Sequence, residues 1–205
     1  MTPITAFVGD IHGNLPALLG ICRILDYEDV DHTVFLGDYI NKGSDSEGVL
    51  TELISRAGGG RATLLLGNHE RTLVRALASG NLAPFLKIGG AMTIRSYIGR
   101  VGPDVLSDFT SAIPQTHLEA LQGMSEKYET AELLATHRFD GDARGRYVIS
   151  AHVDVGPSPR FGRTSAQIDT GCCGTSGFLT ALLWPSLQFV QVDHGGNRAS
   201  GQVSI

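Results

Sequence analysis

Three short runs place an oxygen-bearing side chain directly after an apolar stretch and a glycine: Phe7-Val-Gly-Asp10, Phe35-Leu-Gly-Asp38 and Leu65-Leu-Gly-Asn68. Each has a companion nearby. His12 follows Asp10 by two positions, so extended geometry points it to the same side. His69 and Glu70 directly follow Asn68. Carboxylate and amide oxygens combined with imidazole suit Mn, Fe or Zn better than Ca or Mg. One Gly-Asp turn carries little information, because Asp and Asn are common turn residues. Three such runs, in order and with helical patterns between them, point to one metal-binding crevice.

The intervening elements explain how these residues would meet. Residues 4–8, 32–36 and 62–66 have the apolar character of strands, and residues 15–25, 47–57 and 70–78 the periodicity of helices. This βαβαβα order favours parallel pairing in a layered α/β fold. In an open parallel sheet, ligand sites lie beyond the carboxyl ends of the strands. Three adjacent strand ends would therefore deliver Asp10, Asp38 and Asn68 to a common site. Residues 80–126 have mostly helical character, with Pro114 opening a helix through 124. From about 128 the pattern turns to strands, at 132–136, 147–150, 166–168, 178–183 and 187–192, with Trp184-Pro-Ser186 as a hairpin connection. The expected organisation is one domain over 1–205, with 194–205 as a polar, Gly-rich, loosely held tail.

Composition narrows the function classes. The 205 residues are 42% hydrophobic and 18% charged, with a formal net charge of −5 and no basic cluster. That balance argues against a nucleic-acid or membrane-surface partner. Three cysteines, two of them adjacent at 172 and 173, make a poor disulfide framework. The opening residues lack a basic and apolar leader pattern, and no apolar run approaches the ~20 residues of a membrane span. A cytoplasmic location is the expectation.

Gly9-Asp-Ile-His-Gly-Asn14, Gly37-Asp-Tyr39 and Gly67-Asn-His-Glu70 resemble the calcineurin-like metallophosphoesterases. The similarity is to the branch holding bacterial and phage serine/threonine protein phosphatases and symmetrical diadenosine tetraphosphate hydrolases. Ile168-Asp-Thr-Gly-Cys172 and Leu179-Thr-Ala-Leu182 extend it into the second half, where Cys172-Cys173 reads as a packed turn. The resemblance implies a four-layer αββα sandwich of two mixed sheets flanked by helices. It also implies two divalent ions, Mn²⁺ first, with Fe or Zn as alternatives. Asp10 and His12 would hold the first ion, Asp38 would bridge, and Asn68, His137 and His152 would hold the second. Asp154, two positions after His152, is a further candidate carboxylate. His69 takes the family's general-acid position.

Three departures from the family pattern stand out. Asn41-Lys42 occupies the place of an Asp-Arg pair. Asn41 is expected to accept a hydrogen bond from His69 through its amide oxygen, and Lys42 to offer the phosphate a point charge rather than a fork. Only fifteen positions separate His137 from His152, where relatives have several tens. Of Arg138, Arg144 and Arg146 in that short segment, Arg138 is taken as a phosphate contact together with Lys42 and Asn68. Leu66 precedes the GNHE run in place of the Arg of eukaryotic protein phosphatases. The implied activity is hydrolysis of phosphomonoesters, including phosphoserine or phosphothreonine proteins, so the expected partner is a phosphorylated protein or small molecule. The alternatives are dinucleoside polyphosphate hydrolysis and a non-catalytic sensor of phosphorylated ligands. His32, His117 and His194 match no motif and are expected to be structural.

Overall fold

The computed structural model describes residues 3–100, 102–174 and 176–199. Strand β1 (Thr5–Val8) leads into helix α1 (Leu15–Tyr27), β2 (His32–Phe35) into α2 (Ser46–Gly58), and β3 (Ala62–Leu64) into α3 (Asn68–Ser79). The helix starts are written locally: Asn14 caps α1 by accepting from the Ala17 N–H, and Asp45 caps α2 by accepting from the Gly48 N–H. Four more helices follow, α4 (Ala83–Lys87), α5 (Gly90–Ile98), α6 (Val105–Ala112) and α7 (Gln115–Gly123). The chain then turns to strands: β4 (Lys127–Glu129), β5 (Leu133–Thr136), β6 (Tyr147–Ser150), β7 (Arg160–Phe161), β8 (Ser165–Gln167), β9 (Leu179–Trp184) and β10 (Gln188–Val192). Short β4 and β7 were not anticipated; with three and two residues they carry almost no periodicity. Among the described residues no helix is long and apolar enough to cross a membrane.

Two mixed sheets result, flanked by helices, which is the expected fold class. The first has the order β10-β9-β1-β2-β3, the second β4-β5-β6-β8-β7. In the first, β1, β2 and β3 run parallel, and β9 and β10 are added antiparallel beyond β1. Period-two alternation gives its strands two buried faces. Ala6, Val8, Phe35 and Ala181 join the core shared with the helices, whereas Phe7, Val34, Leu36 and Leu182 meet Ala135, Ile149 and Ala166 of the second sheet. Burial on both sides explains why these runs read as continuous apolar stretches. The parallel strands are β1–β3 in the first sheet and β5, β6 and β8 in the second, and the ends of β1, β2, β5 and β6 lie toward the polar residues singled out above.

The start of the expected tail departs from its reading. His194 Nδ1 lies 2.9 Å from Asn14 Nδ2, and the Ala199 N–H donates to the Gln191 carbonyl. Gly196 packs against α1 so closely that a Cβ on Gly20 would lie 2.2 Å from the Gly196 carbonyl oxygen. Residues 194–199 are therefore bound to the first sheet and to α1. A polar, Gly-rich composition concealed this because backbone groups and glycines make the contacts. Residues 200–205 of the expected tail lie outside the described residues.

Candidate metal centre and active site

The ends of β1, β2, β5 and β6 and the start of α3 bring Asp10, His12, Asp38, Asn68, His69, His137 and His152 together. Asp38 is central. Its Oδ2 lies 3.9 Å from His12 Nε2 and 3.7 Å from His69 Nε2, and its Oδ1 lies 3.4 Å from His137 Nε2. His12, Asp38 and His69 present donor atoms within 4.8 Å of one another, and so do Asp38, His137 and His152. Asp10 Oδ2 lies 3.7 Å from His12 Nε2, and its Oδ1 lies 3.8 Å from His137 Nδ1 and accepts from the His152 N–H.

Hydrogen bonds to the backbone set the tautomers. Carbonyls only accept, so the Ile40 carbonyl takes the Nδ1 proton of His12 and the Leu36 carbonyl that of His137, each at 3.1 Å. Both Nε2 lone pairs are thereby directed inward, as metal-ligating imidazoles require. His137 Nε2 then faces Asn68 Oδ1 at 3.0 Å and His152 Nδ1 at 3.1 Å. The lone pairs of His137 Nε2 and Asn68 Oδ1 are aimed at one another and repel unless a cation sits between them. This donor set fits a divalent metal, and Asn68, His137, His152 and Asp38 could hold it.

The electrostatics agree. Asp38 is pushed up to about 8 by burial and by Glu70, and Asp10 is raised by burial and by Asp169 and Asp38 nearby. Burial and the Lys42 charge push His12 down to about 3; burial and His152 do the same for His137. Buried carboxylates that resist ionisation, beside imidazoles that resist protonation, make a cluster of electron-pair donors lacking positive charge. Divalent cations reverse this balance. Lys42 is the cation nearest to it, with Nζ 2.7 Å from His12 Nε2.

Backbone strain gathers at the same place. His12, Asp38, Asn41, Lys42 and His152 all have positive φ, between 50° and 73°. Such residues cost of order 1–3 kcal/mol each and persist only where surrounding structure holds them. Glu70 does much of this holding. Its buried carboxylate accepts from the N–H groups of Asp38, Tyr39, Ile40 and Gly67 at 2.8 to 3.2 Å. Gly67 has no Cβ, which would lie 2.2 Å from the Asp38 nitrogen, so the start of α3 can approach the turn.

Asn41 meets His69 as expected, but with the hydrogen bond reversed. Asn41 Oδ1 accepts from Thr93 Oγ1 at 2.6 Å, and Thr93 Oγ1 itself accepts from the Asn41 N–H. The amide nitrogen is left to donate to His69 Nδ1, 2.7 Å away, with the Ile88 carbonyl as its second acceptor. His69 Nδ1 is thus unprotonated, and Nε2 carries the proton on the side of Asp38. Burial and Lys42 push His69 down to about 4.

The remaining candidates divide. Arg138 is exposed and lines a cavity of about 460 Å³ with Asn68, His137 and His152. Arg146 is engaged with Glu129 at 2.8 Å. Asp154 does not join the donor cluster; its Oδ1 accepts from the Gly156 N–H and it lies against Gly171. His32, His117 and His194 pair with Thr63, with Tyr97 and Thr51, and with Asn14, as structural histidines do. Asp169, buried beside Asp10, was not anticipated as part of the site. It follows β8 and Ile168 directly, so the strand-end rule applies to it, but its glycine comes after the Asp rather than before.

Comparison with known proteins decides the family. The model of the calcineurin-like phosphoesterase domain matches residues 5–157, three quarters of the chain. The chain belongs to the calcineurin-like phosphoesterase family. It is 46% identical over 71 residues to a Schizosaccharomyces pombe protein named as a candidate serine/threonine-protein phosphatase, covering 34% of this chain and 23% of that one. It is 39% identical over 72 residues to a symmetrical bis(5'-nucleosyl)-tetraphosphatase of Ralstonia nicotianae, covering 35% and 24%. The chain thus spans about a quarter of each of these relatives. A crystal structure of a candidate diadenosine tetraphosphatase superposes with a TM-score of 0.69 at 19% identity, covering 94% of both chains. That likeness is one of calcineurin-like phosphoesterase fold.

Proposed function

We propose that this chain is a metal-dependent phosphatase that hydrolyses phosphomonoesters, phosphoserine and phosphothreonine polypeptides among them, with two divalent ions sharing Asp38. The observation that carries this reading is the pair of inward lone pairs of His137 and Asn68, with His152 next to them, beside a carboxylate that also faces His12 and His69. Asp10 and His12 would hold one ion; Asn68, His137 and His152 the other; Mn²⁺, Fe or Zn suit this mixture of oxygen and imidazole. Bound ions would supply Lewis-acid polarisation of the phosphate oxygens and activation of water.

The chain's own groups do the rest. Lys42, held by a left-handed backbone at the His12 side, offers positive charge to the phosphate oxygens, and exposed Arg138 offers it from the His152 side. His69 presents Nε2–H to the leaving oxygen, its ring fixed by the Asn41 donation to Nδ1. With a basicity this low, His69 is a poor proton reservoir near pH 7. The enzyme should therefore favour good leaving groups. The test is turnover of p-nitrophenyl phosphate and phosphopeptides with added Mn²⁺, together with metal content of the wild type and Asp38→Asn. Two ions and turnover in the wild type, with both lost in Asp38→Asn, are expected. Two ions without turnover across pH 6–9 would leave a phospho-ligand sensor instead.

A further inference from the structure

The cavity beside His137 and His152 does not end at the metal centre. It adjoins a second, of about 510 Å³, and the two share Lys127, Leu134 and Asp142 as common walls. Together they form one groove lined by the β5–β6 connection, with Arg138 to Asp142 along the first cavity and Arg144 and Arg146 along the second. The charges along it are ordered. Nearest the site is Arg138, which lines the same cavity as Asn68, His137 and His152 and makes no ion pair among the described residues. Next come Asp140 and Asp142, exposed and likewise without an ion-pair partner among the described residues. Lys127, at the wall common to both cavities, and Arg146, in the second, are bound to Glu129, each at 2.8 Å. A ligand leaving the site thus passes one unpaired cation and two unpaired anions along the first cavity before it reaches Arg144, an exposed cation of the second cavity without an ion-pair partner among the described residues.

We infer that this groove binds the chain of a phosphorylated polypeptide and selects one with a basic residue flanking the phosphorylated position. The inference rests on the phosphatase reading and specifies its substrate class. Arg138 suits the phosphate end. Asp140 and Asp142 suit a Lys or Arg a few residues away, since opposite charges at a groove attract and like charges repel. The same two carboxylates oppose a ligand that continues as a polyphosphate, because its further negative charges would lie along them. Phe139, 36% exposed between Arg138 and Asp140, offers an apolar contact to a neighbouring side chain.

The experiment uses the metal-loaded chain and the double variant Asp140→Lys/Asp142→Lys, both substitutions on exposed loop positions. Fluorescence anisotropy measures binding of phosphonate peptides carrying Arg or Asp flanks, and kcat/KM is measured with the matching phosphopeptides, p-nitrophenyl phosphate and diadenosine tetraphosphate. The wild type should prefer the Arg-flanked peptide about tenfold in binding and in kcat/KM. The double variant should invert that preference, with p-nitrophenyl phosphate turnover unchanged. Equal affinity for both peptides, or a preference the double variant leaves in place, would overturn the inference. So would a kcat/KM for diadenosine tetraphosphate above that of both peptides. Failure of the phosphatase reading shows separately, as absent p-nitrophenyl phosphate turnover, and the binding preference still decides the groove.

Discussion

The reversed hydrogen bond at Asn41 makes Asn41→Asp the most informative substitution. In the native chain the amide nitrogen stands 2.7 Å from His69 Nδ1, so the ring is held as an acceptor on that side, and burial and the Lys42 charge push it down to about 4. An imidazole of that basicity is protonated in only about one molecule in a thousand at pH 7. A carboxylate at position 41 keeps one oxygen for the Thr93 hydroxyl and turns the other toward Nδ1. Contact with an opposite charge shifts a pKa by roughly 1–3 units. That would raise the protonated fraction at pH 7 to between about one per cent and one half. Proton delivery matters most when the leaving oxygen is basic. The rate with an alkyl phosphate should accordingly rise about ten- to a hundredfold, while p-nitrophenyl phosphate, whose leaving group needs little help, should change by no more than about threefold.

The substitution has a cost. Asn41 is fully buried, and the Ile88 carbonyl that now receives the amide proton at 3.4 Å would face a carboxylate oxygen instead. A stability loss of about 1–3 kcal/mol is expected, partly offset by the new ion pair with His69. The assay is a leaving-group series at constant metal content, with kcat plotted against leaving-group pKa. The slope should become shallower and the alkaline limb of the kcat profile should move upward in pH. An unchanged slope, or equal changes for alkyl and aryl substrates, would refute the role given to His69 and to the direction of the Asn41 hydrogen bond.

Three further predictions test the frame around the site. Glu70→Gln should lower unfolding stability by about 2–4 kcal/mol in a denaturant titration and weaken metal binding, because an amide cannot accept from all four N–H groups that the carboxylate now satisfies. Gly20→Ala should cost about 1–3 kcal/mol by driving a methyl group into the Gly196 carbonyl, whereas an unchanged midpoint would show that 194–199 does not pack on α1. Stability of the metal-free protein should be greatest near pH 6.5. As pH falls from about 8, folded Asp38 takes up a proton that the unfolded chain, at its ordinary 3.8, does not, so stability rises by up to about 1.4 kcal/mol per unit. Below about 6.5 the histidines of the unfolded chain protonate while folded His12 and His137, both near 3, do not, and stability falls again. Thermal melts after chelation measure both slopes, and a monotonic rise from pH 5 to 8 would contradict the assignment.

How far the sequence reveals this arrangement depends on the range over which each feature is determined. Asp10, Asp38 and Asn68 were legible because each sits at a strand end behind a glycine, and three parallel strands must then bring them together. The helices α1, α2 and α3 were legible from periodicity, a pattern set within a few residues. Asp169 obeys the same strand-end logic, yet its strand β8 is three residues long and leaves little pattern to recognise. Glu70 was visible as the last letter of a run but not as the anchor of the turn at 38–40, since its partners are backbone N–H groups, which every sequence supplies. The tail escaped for the same reason: glycine against glycine has no side-chain signature.

Asn41 shows the limit most clearly. Its partner His69 could be named from the sequence, but the direction of their hydrogen bond could not. That direction follows from Thr93, a residue 52 positions away on α5, which receives the Asn41 N–H and returns its own proton to the amide oxygen. With the oxygen occupied, only the nitrogen remains for His69, and a residue expected to assist proton donation instead holds the imidazole neutral. An Asp at this position would accept from both neighbours and a Thr at position 93 would tolerate it. The proposed weak acid role of His69 therefore combines burial and the Lys42 charge with the direction of one Asn41 hydrogen bond, and the rest of the Asn41 network is already suited to a carboxylate.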